Sequence, residues 1–146
     1  MTASLQIRKA QPSDLDTIRH ILQTNSLTSD DITQHLENFL VAEINGVVVG
    51  TIGMEFYQNI GLLRSAAVLP SHQHQRIGDK LVASIHGYAQ ERGVNEIVLL
   101  TTTAEEYFKR KGFTTINRNE IDGQVLTSNQ FNGACPSTAI CMRMKL

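Results

Sequence analysis

The stretch 61–93 constrains the fold more than any other part of the chain. Residues 61–68 are mostly apolar and lead into a proline-containing turn, a pattern typical of a buried strand. After the turn, apolar residues recur at three- and four-residue steps from Ile77 to Ala89, which is the period of a helix. The turn itself is polar and carries Arg76 near its end. The stretch therefore predicts a strand, a turn and a helix in that order.

The start of this predicted helix is suited to binding an anion. The first turn of a helix carries backbone N–H groups without partners in the helix, and the positive end of the helix dipole lies there. Gly78 stands within the first helical turn, and the guanidinium of Arg76 can donate to a phosphate. A pyrophosphate is an anion that such a site fits well.

Length and composition favour one globular domain over 1–146. The chain has 146 residues, of which 41% are hydrophobic, and this suffices for one packed core. The net charge is −1 with no block of like charge, which argues against a nucleic acid or an anionic membrane as a partner. An apolar run long enough to span a bilayer and a charged-then-apolar leader are both missing, so we expect a cytoplasmic location. Cys135 and Cys141 lack metal-ligand or disulfide spacing, so we expect two reduced thiols and no metal.

Periodicity and turn residues predict the order β-α-α-β-β-β-α-β-α-β-β. A first strand covers 4–10, Ser13 is the predicted N-cap of the first helix, and Asp30 or Asp31 caps the second. The other predicted elements are strands over 40–44, 47–56, 61–68, 97–100, 113–116 and 139–146, a helix ending at Gly93 and a short helix over 104–111, with an Asn45-Gly46 hairpin and an irregular segment 118–137. This order predicts an α/β chain with an α+β mixed sheet and helices on both sides.

The central turn resembles motif A of the GNAT superfamily of acyl-CoA N-acyltransferases, which is Arg/Gln-x-x-Gly-x-Gly/Ala after a strand ending in Val-x-Pro. Residues 73–78 carry the match, and Gln73 and Gly78 fit the motif. Arg76 stands where the family usually has its first glycine, and His74 stands where a glycine is frequent. The resemblance implies a GNAT-like fold with a mixed central sheet flanked by helices.

A second motif of the same family follows at the right distance. Residues 99–113 are similar to the family's short helix that ends in Tyr-x-x-x-Gly-Phe. The sequence of residues 99–102, Leu-Leu-Thr-Thr, looks closest to that of amino-acid N-acetyltransferases of the N-acetylglutamate-synthase type. Residues 61–68 and 131–142 look like small arsenic-resistance N-acetyltransferases. With both motifs in order, the resemblance covers nearly the whole chain.

The resemblance implies acetyl-CoA as co-substrate, with its pyrophosphate on residues 73–78 and its thioester and pantetheine on backbone N–H groups near Val68. We expect the Asp79 carboxylate to stabilise the helix dipole. The predicted coenzyme-binding residues are Ala67, Val68, Gln73, His74, Gln75, Arg76, Ile77, Gly78, Asp79 and Phe108.

The family's general acid is a tyrosine four residues before the glycine of Gly-Phe, and here that position holds Phe108. Tyr107 stands one residue earlier, which is about 100° of rotation on a helix. Two alternatives follow: the helix is shifted and Tyr107 is the acid, or no tyrosine acid operates.

Two charged residues lie on the predicted central strands. Glu55 is the best candidate for a general base, acting directly or through one water, and its alternative is an exposed strand acid. Arg64 interrupts an apolar strand and needs a partner. That partner is either the substrate's carboxylate, which Arg64 would hold as a fork, or an internal salt bridge with Glu55 or Glu43.

These observations predict an acetyl-CoA-dependent N-acetyltransferase that acts on a small amine, an amino acid or a related carboxylated compound. Direct attack in a ternary complex is expected, without a covalent acyl-enzyme. Two alternatives stay open: a non-catalytic acyl-CoA-binding regulatory module and a protein N-acetyltransferase. The expected partner is the small-molecule amine substrate, and a homodimer stays open.

Overall fold

The computed structural model describes residues 4–121, 123–128, 130–134 and 138–146. Its strands and helices follow the predicted order. The strands are β1 (Leu5–Lys9), β2 (Phe39–Ile44), β3 (Val47–Tyr57), β4 (Ile60–Val68), β5 (Glu96–Thr101), β6 (Thr114–Ile116) and β7 (Ile140–Lys145), and the helices are α1 (Leu15–Thr24), α2 (Ile32–His35), α3 (Ile77–Glu91) and α4 (Glu105–Arg110). In the segment predicted as irregular, short 3-10 turns at Arg118–Glu120 and Gln124–Thr127 precede a π-helical turn at Gln130–Ala134.

The strands form one sheet in the order β1-β2-β3-β4-β5-β7-β6. Strands β1, β2 and β3 pair antiparallel, β4 pairs parallel with β5, and β7 pairs antiparallel with both β5 and β6. The predicted mixed sheet with helices is therefore confirmed. Burial of Ile97, Val98 and Leu99 to 1% exposure or less also confirms that β5 is covered on both faces.

The chain divides into two compact units, Met1–Met54 with Ser65–Tyr88 and Glu55–Arg64 with Ala89–Leu146. Each unit has a cluster of buried apolar side chains. In the first unit the cluster consists of Ile18, Ile21, Leu22, Ile32, Phe39, Val41, Val48 and Ala67. In the second it consists of Leu62, Val98, Ile121, Val125 and Cys141. The single domain expected over 1–146 stays a prediction.

Two predicted turns have the backbone conformation that their residues favour. Asn45 and Gly46 join β2 to β3 with φ values of 51° and 82°. Positive φ at both central residues is the signature of the I′ turn that Asn-Gly forms in hairpins. Gly93 has φ 77° just after α3, as expected of the residue that ends a helix.

The start of α1 differs from the prediction, and Ser13 as its N-cap is wrong. A 3-10 turn, Pro12–Asp14, precedes the helix, and Asp14 occupies the N-cap position of α1. The Asp14 carboxylate accepts from the backbone N–H of Gln11 at 2.7 Å and from the guanidinium of Arg8 at 2.8 Å. The Arg8 hydrogen bond lowers the pKa of Asp14. Asp14 thus closes a capping box with Gln11, three residues earlier, and it also bonds to Arg8 of β1, a partner that local spacing did not reveal.

Gly53 of β3 has no room for a side chain. A Cβ at this position would lie 2.4 Å from Cε1 of Phe39, whose side chain is fully buried. We expect Gly53→Ala to lower the free energy of unfolding by about 1–3 kcal/mol because the ring or the strand must shift. Urea titration measures this difference.

Gly87→Ala is the matched control for that substitution. A Cβ at Gly87, inside α3, meets nothing within 4 Å. Alanine favours the helix, so this variant should gain about 0.5–1 kcal/mol of stability. Wild-type stability in Gly53→Ala would contradict the close approach.

Candidate functional site

The segment 73–78, called the loop below, runs from the turn after β4 into the first two residues of α3 and has an unusual backbone. His74 and Arg76 both lie in the left-handed region, with φ values of 67° and 63°. These are the two positions where the resembled motif places glycine, the residue that adopts this conformation without strain. Alternating conformations of this kind turn backbone N–H groups toward a common concavity that suits an anion. In this loop, two residues other than glycine therefore adopt the backbone conformation that glycine favours.

The start of α3 adds further N–H groups to this loop. The N–H of Lys80 donates to the carbonyl of Arg76 at 3.2 Å, so Arg76 occupies the position that precedes the first helical residue. The helix that follows has 15 residues, long enough for a developed dipole. The side chain of Arg76 is exposed, and Asp79 stands in the first turn. The loop and the helix start together carry backbone N–H groups of the kind that bind anions, and the pyrophosphate site stays a prediction.

The side chain of Gln73 anchors the loop. Its Nε2 donates to the carbonyl of Val68 at 3.1 Å and to Oδ1 of Asn25 at 3.3 Å. Asn25 in turn donates from Nδ2 to Val68 at 3.2 Å and to the carbonyl of Ile21 at 2.9 Å. A carbonyl oxygen has two lone pairs, so these two amides occupy the acceptor capacity of Val68. The side chain of Gln73 thus bonds to the end of β4, and a contact of this residue with the coenzyme stays a prediction.

The last residues of β4 also depart from an extended strand. Ser65 has φ 58°, a left-handed conformation that bends a strand where it occurs. Ala67 is buried at 8% exposure, and Val68 is half-buried. The pairing of β4 with β5 joins Ile60–Leu62 to Glu96–Val98. A thioester contact near Val68 stays a prediction.

A buried polar cluster of the second unit contains the predicted base and the predicted substrate-binding arginine. Nη1 of Arg64 donates to Oε2 of Glu55 at 2.7 Å, with 0% and 1% of the two side chains exposed. The hydroxyl of Tyr57 donates to Oε1 of the same carboxylate. This is the internal salt bridge that the sequence left open as the alternative for Arg64. Glu43, the other candidate partner, instead lies 3.3 Å from Nε of Arg8.

Tyr107 and Phe108 have different surroundings on α4. Phe108 is 6% exposed and packs edge-on against Phe113, with 5.5 Å between ring centroids. The ring of Tyr107 is half-buried and lies beneath two cations, Lys111 at 5.4 Å and Arg110 at 5.9 Å. Neighbouring residues of a helix point in directions about 100° apart, so their surroundings differ. The role of Tyr107 as general acid stays a prediction.

Cys141 is buried at 2% exposure, and this burial raises the pKa of its thiol. It packs within the apolar cluster of the second unit, as expected of a reduced structural cysteine. Cys135 lies outside the described residues.

Within the part of the chain that the structure describes, every helix is too short or too polar to cross a bilayer.

Sequence reasoning missed two residues of these clusters. Tyr57 stands two positions after Glu55, and side chains two apart on a strand share a face, so that spacing was a usable signal. Asn25 was interpreted only as a break after the first helix. Its contact with Val68 spans 43 residues of sequence, and no local pattern indicates such a contact.

Comparison with known proteins agrees with this geometry. The acetyltransferase (GNAT) domain family matches residues 35–115. An uncharacterized N-acetyltransferase of Chlorobaculum tepidum is 34% identical over 113 residues, which cover 77% of this chain and 70% of that protein. An amino-acid acetyltransferase of Mycobacterium tuberculosis is 28% identical over 141 residues, which cover 90% of this chain and 78% of that protein.

A solved structure gives the fold. The N-acetylglutamate synthase of Neisseria gonorrhoeae, in complex with coenzyme A and N-acetyl-glutamate, superposes with a TM-score of 0.86 at 22% identity. The match covers all of this chain and 36% of that one, so the chain spans about a third of the synthase.

The chain belongs to the GNAT acetyltransferase family. The predicted class, an acyl-CoA-dependent N-acyltransferase with acetyl-CoA as co-substrate, is confirmed at the level of that family. The likeness to arsenic-resistance enzymes, the cytoplasmic location and a homodimer stay predictions.

Two substitutions of Arg76 separate its backbone from its side chain. Arg76→Ala removes the guanidinium and keeps a strained conformation, whereas Arg76→Gly removes both. We expect Arg76→Gly to be more stable than Arg76→Ala by about 1 kcal/mol. If the guanidinium contacts phosphate, both variants should bind acetyl-CoA about tenfold more weakly. Losing a charge-assisted hydrogen bond typically weakens binding by roughly ten- to a hundredfold, and the lower value applies because this side chain is exposed.

Calorimetric titration with acetyl-CoA measures this loss. Arg19→Ala is the control, since it removes an exposed arginine of α1 and changes the net charge equally. Wild-type affinity in both Arg76 variants would show that this side chain points to solvent.

Proposed function

We propose that this protein moves the acetyl group of acetyl-CoA to the amine of a small carboxylated molecule of the amino-acid class. The observation that carries the proposal is the left-handed backbone of His74 and Arg76 at the start of α3. It supports a pyrophosphate held by backbone N–H groups of residues 73–78, with Arg76 as an additional donor. Binding of the pyrophosphate then needs no further side chain.

The amine is inferred from relatives. Proteins named amino-acid acetyltransferase recur among them, and a solved synthase holds N-acetyl-glutamate. Most of these relatives extend well beyond the matched region, since the chain covers 32% of the amino-acid acetyltransferase of Proteus mirabilis. Their names support an amino acid as acceptor, and the proposal takes them no further than that class.

The proposed mechanism is direct attack in a ternary complex. Its chemistry requires a neutral amine held against an activated thioester, removal of one proton and stabilisation of the oxyanion. Glu55 is the proposed proton acceptor, because its carboxylate is fixed from both sides by Arg64 and Tyr57. Tyr107 is the proposed donor to the departing sulfur. A thiolate is a tolerable leaving group, so the reaction does not depend on that donor.

A thiol-release assay tests the function directly. The protein is incubated with acetyl-CoA and each of a panel of L-amino acids and their amides, against a blank without protein. We expect coenzyme A release above the blank with free amino acids. Binding of acetyl-CoA without turnover of any amine would instead identify a regulatory acyl-CoA-binding module.

Variants of Arg64 distinguish its two possible roles, a fork for the substrate's carboxylate and an internal salt bridge, in the same assay. A fork for the substrate predicts that acids are used well, amides poorly, and that Arg64→Lys loses the preference because a point charge cannot replace a bidentate donor. The buried pair with Glu55 supports the structural alternative more strongly. We therefore expect Arg64→Met to lower stability by about 3–5 kcal/mol, since it leaves a carboxylate buried without its cation.

Thermal unfolding and the ratio of acid to amide turnover are the two readouts for Arg64. The double variant Glu55→Gln with Arg64→Met should recover part of the lost stability, because no unpaired charge remains. Loss of acid preference in Arg64→Lys at unchanged stability would favour the fork.

A further inference from the structure

We propose that Tyr57 takes the proton from the substrate amine and hands its own proton to Glu55. This inference rests on the proposed function, since it concerns proton removal in the same acetyl transfer. Glu55 and Tyr57 lie two residues apart on β3 and therefore on one face of the sheet. The hydroxyl of Tyr57 donates to Oε1 of Glu55, so the two groups are already joined by the bond along which the proton would move.

Burial assigns different places to the two residues. Only 1% of the Glu55 side chain is exposed, and its second oxygen accepts from Arg64 at 2.7 Å. A substrate amine that contacted this carboxylate directly would find almost no surface to approach. Tyr57 is half-buried, with its ring packed against the apolar cluster that contains Leu62 and Val98. The phenol therefore provides a route from the surface of this unit to the carboxylate.

A phenolic hydroxyl suits this position because it donates and accepts at the same time. As the amine nitrogen bonds to the thioester carbon, its N–H proton passes to the Tyr57 oxygen and the Tyr57 proton passes to Oε1 of Glu55. The C–S bond then breaks and its electron pair stays on the coenzyme sulfur. Without a donor at the sulfur, the products are the amide, the coenzyme A thiolate and one proton, which Glu55 returns through Tyr57 to water. Where Tyr107 protonates the sulfur, the product is the coenzyme A thiol and the released proton restores the Tyr107 hydroxyl.

Arg64 completes the cluster as a positioning residue. Its guanidinium supplies the positive charge that a buried carboxylate needs, and it fixes the Oε2 side of Glu55 while Tyr57 holds Oε1. The carboxylate is thereby oriented toward Tyr57.

Tyr57→Phe is the test, because it keeps the ring and removes only the hydroxyl. With acetyl-CoA and the amino acid that gives the fastest thiol release, we expect kcat to fall roughly 10²-fold or more, the loss typical of a positioned proton-transfer group. Acetyl-CoA affinity, measured by calorimetry, should stay within about twofold. The pH profile should change as well: we expect the wild-type rate to level off once the substrate amine is neutral, whereas the variant's rate should keep rising as hydroxide replaces the relay.

Tyr88→Phe is the matched control. The hydroxyl of Tyr88 also donates from a half-buried tyrosine, to Oδ1 of Asn38 at 2.7 Å. This variant should keep the wild-type kcat and pH profile. Circular dichroism at the assay temperature gives the folded fraction of both variants.

Three results would overturn the relay. They are a Tyr57→Phe kcat within threefold of wild type with an unchanged pH profile, a fall in kcat that only follows the folded fraction, and an equal fall in Tyr88→Phe. A wild-type protein that acetylates no amine of the panel would overturn the proposed function together with the relay, whereas an active wild type with an unaffected Tyr57→Phe overturns the relay alone.

Discussion

Arg64 places a guanidinium with no exposed side-chain surface in the middle of β4, and a buried charge is tolerated only with a partner in good geometry. Glu55 on β3 is that partner, and the 2.7 Å pair fixes one position of β3 against one position of β4. Apolar side chains of similar volume could have filled the same space. We therefore infer that the ion pair orients its two groups more than it stabilises the fold. The hydroxyl of Tyr57 bonds to the same oriented carboxylate.

The proposed role of the loop of residues 73–78 sets a different requirement, which is that backbone N–H groups approach an anion closely. Glycine would adopt the conformations of His74 and Arg76 without strain, and this chain uses larger residues there. Strain of this kind persists when surrounding contacts fix the backbone. The amides of Asn25 and Gln73, both on the carbonyl of Val68, provide such contacts at the start of the loop. The first hydrogen bond of α3, from Lys80 to Arg76, fixes its end.

Most strands and helices could be predicted from the sequence because the patterns that determine them extend over only a few residues. Alternation, helical period and the Asn45-Gly46 turn act over a few residues, and the elements they predicted are present. Ser13 failed as a cap because Asp14 closes a capping box with Gln11 and also bonds to Arg8 on another element. Gln73 was assigned to the loop correctly, but its side chain bonds to Asn25 and Val68, a contact that sequence spacing does not encode. The pair of Arg64 with Glu55 was foreseen as an alternative because a buried arginine demands an acid.

We propose that backbone N–H groups of residues 73–78 and of the start of α3 hold the pyrophosphate of acetyl-CoA. A crystal structure of the protein with acetyl-CoA measures this directly. We expect pyrophosphate oxygens within about 2.7–3.2 Å of backbone nitrogens in this loop, with His74 and Arg76 still left-handed. A pyrophosphate bound elsewhere, or a loop that leaves these conformations to bind it, would show that this backbone is not the anion site.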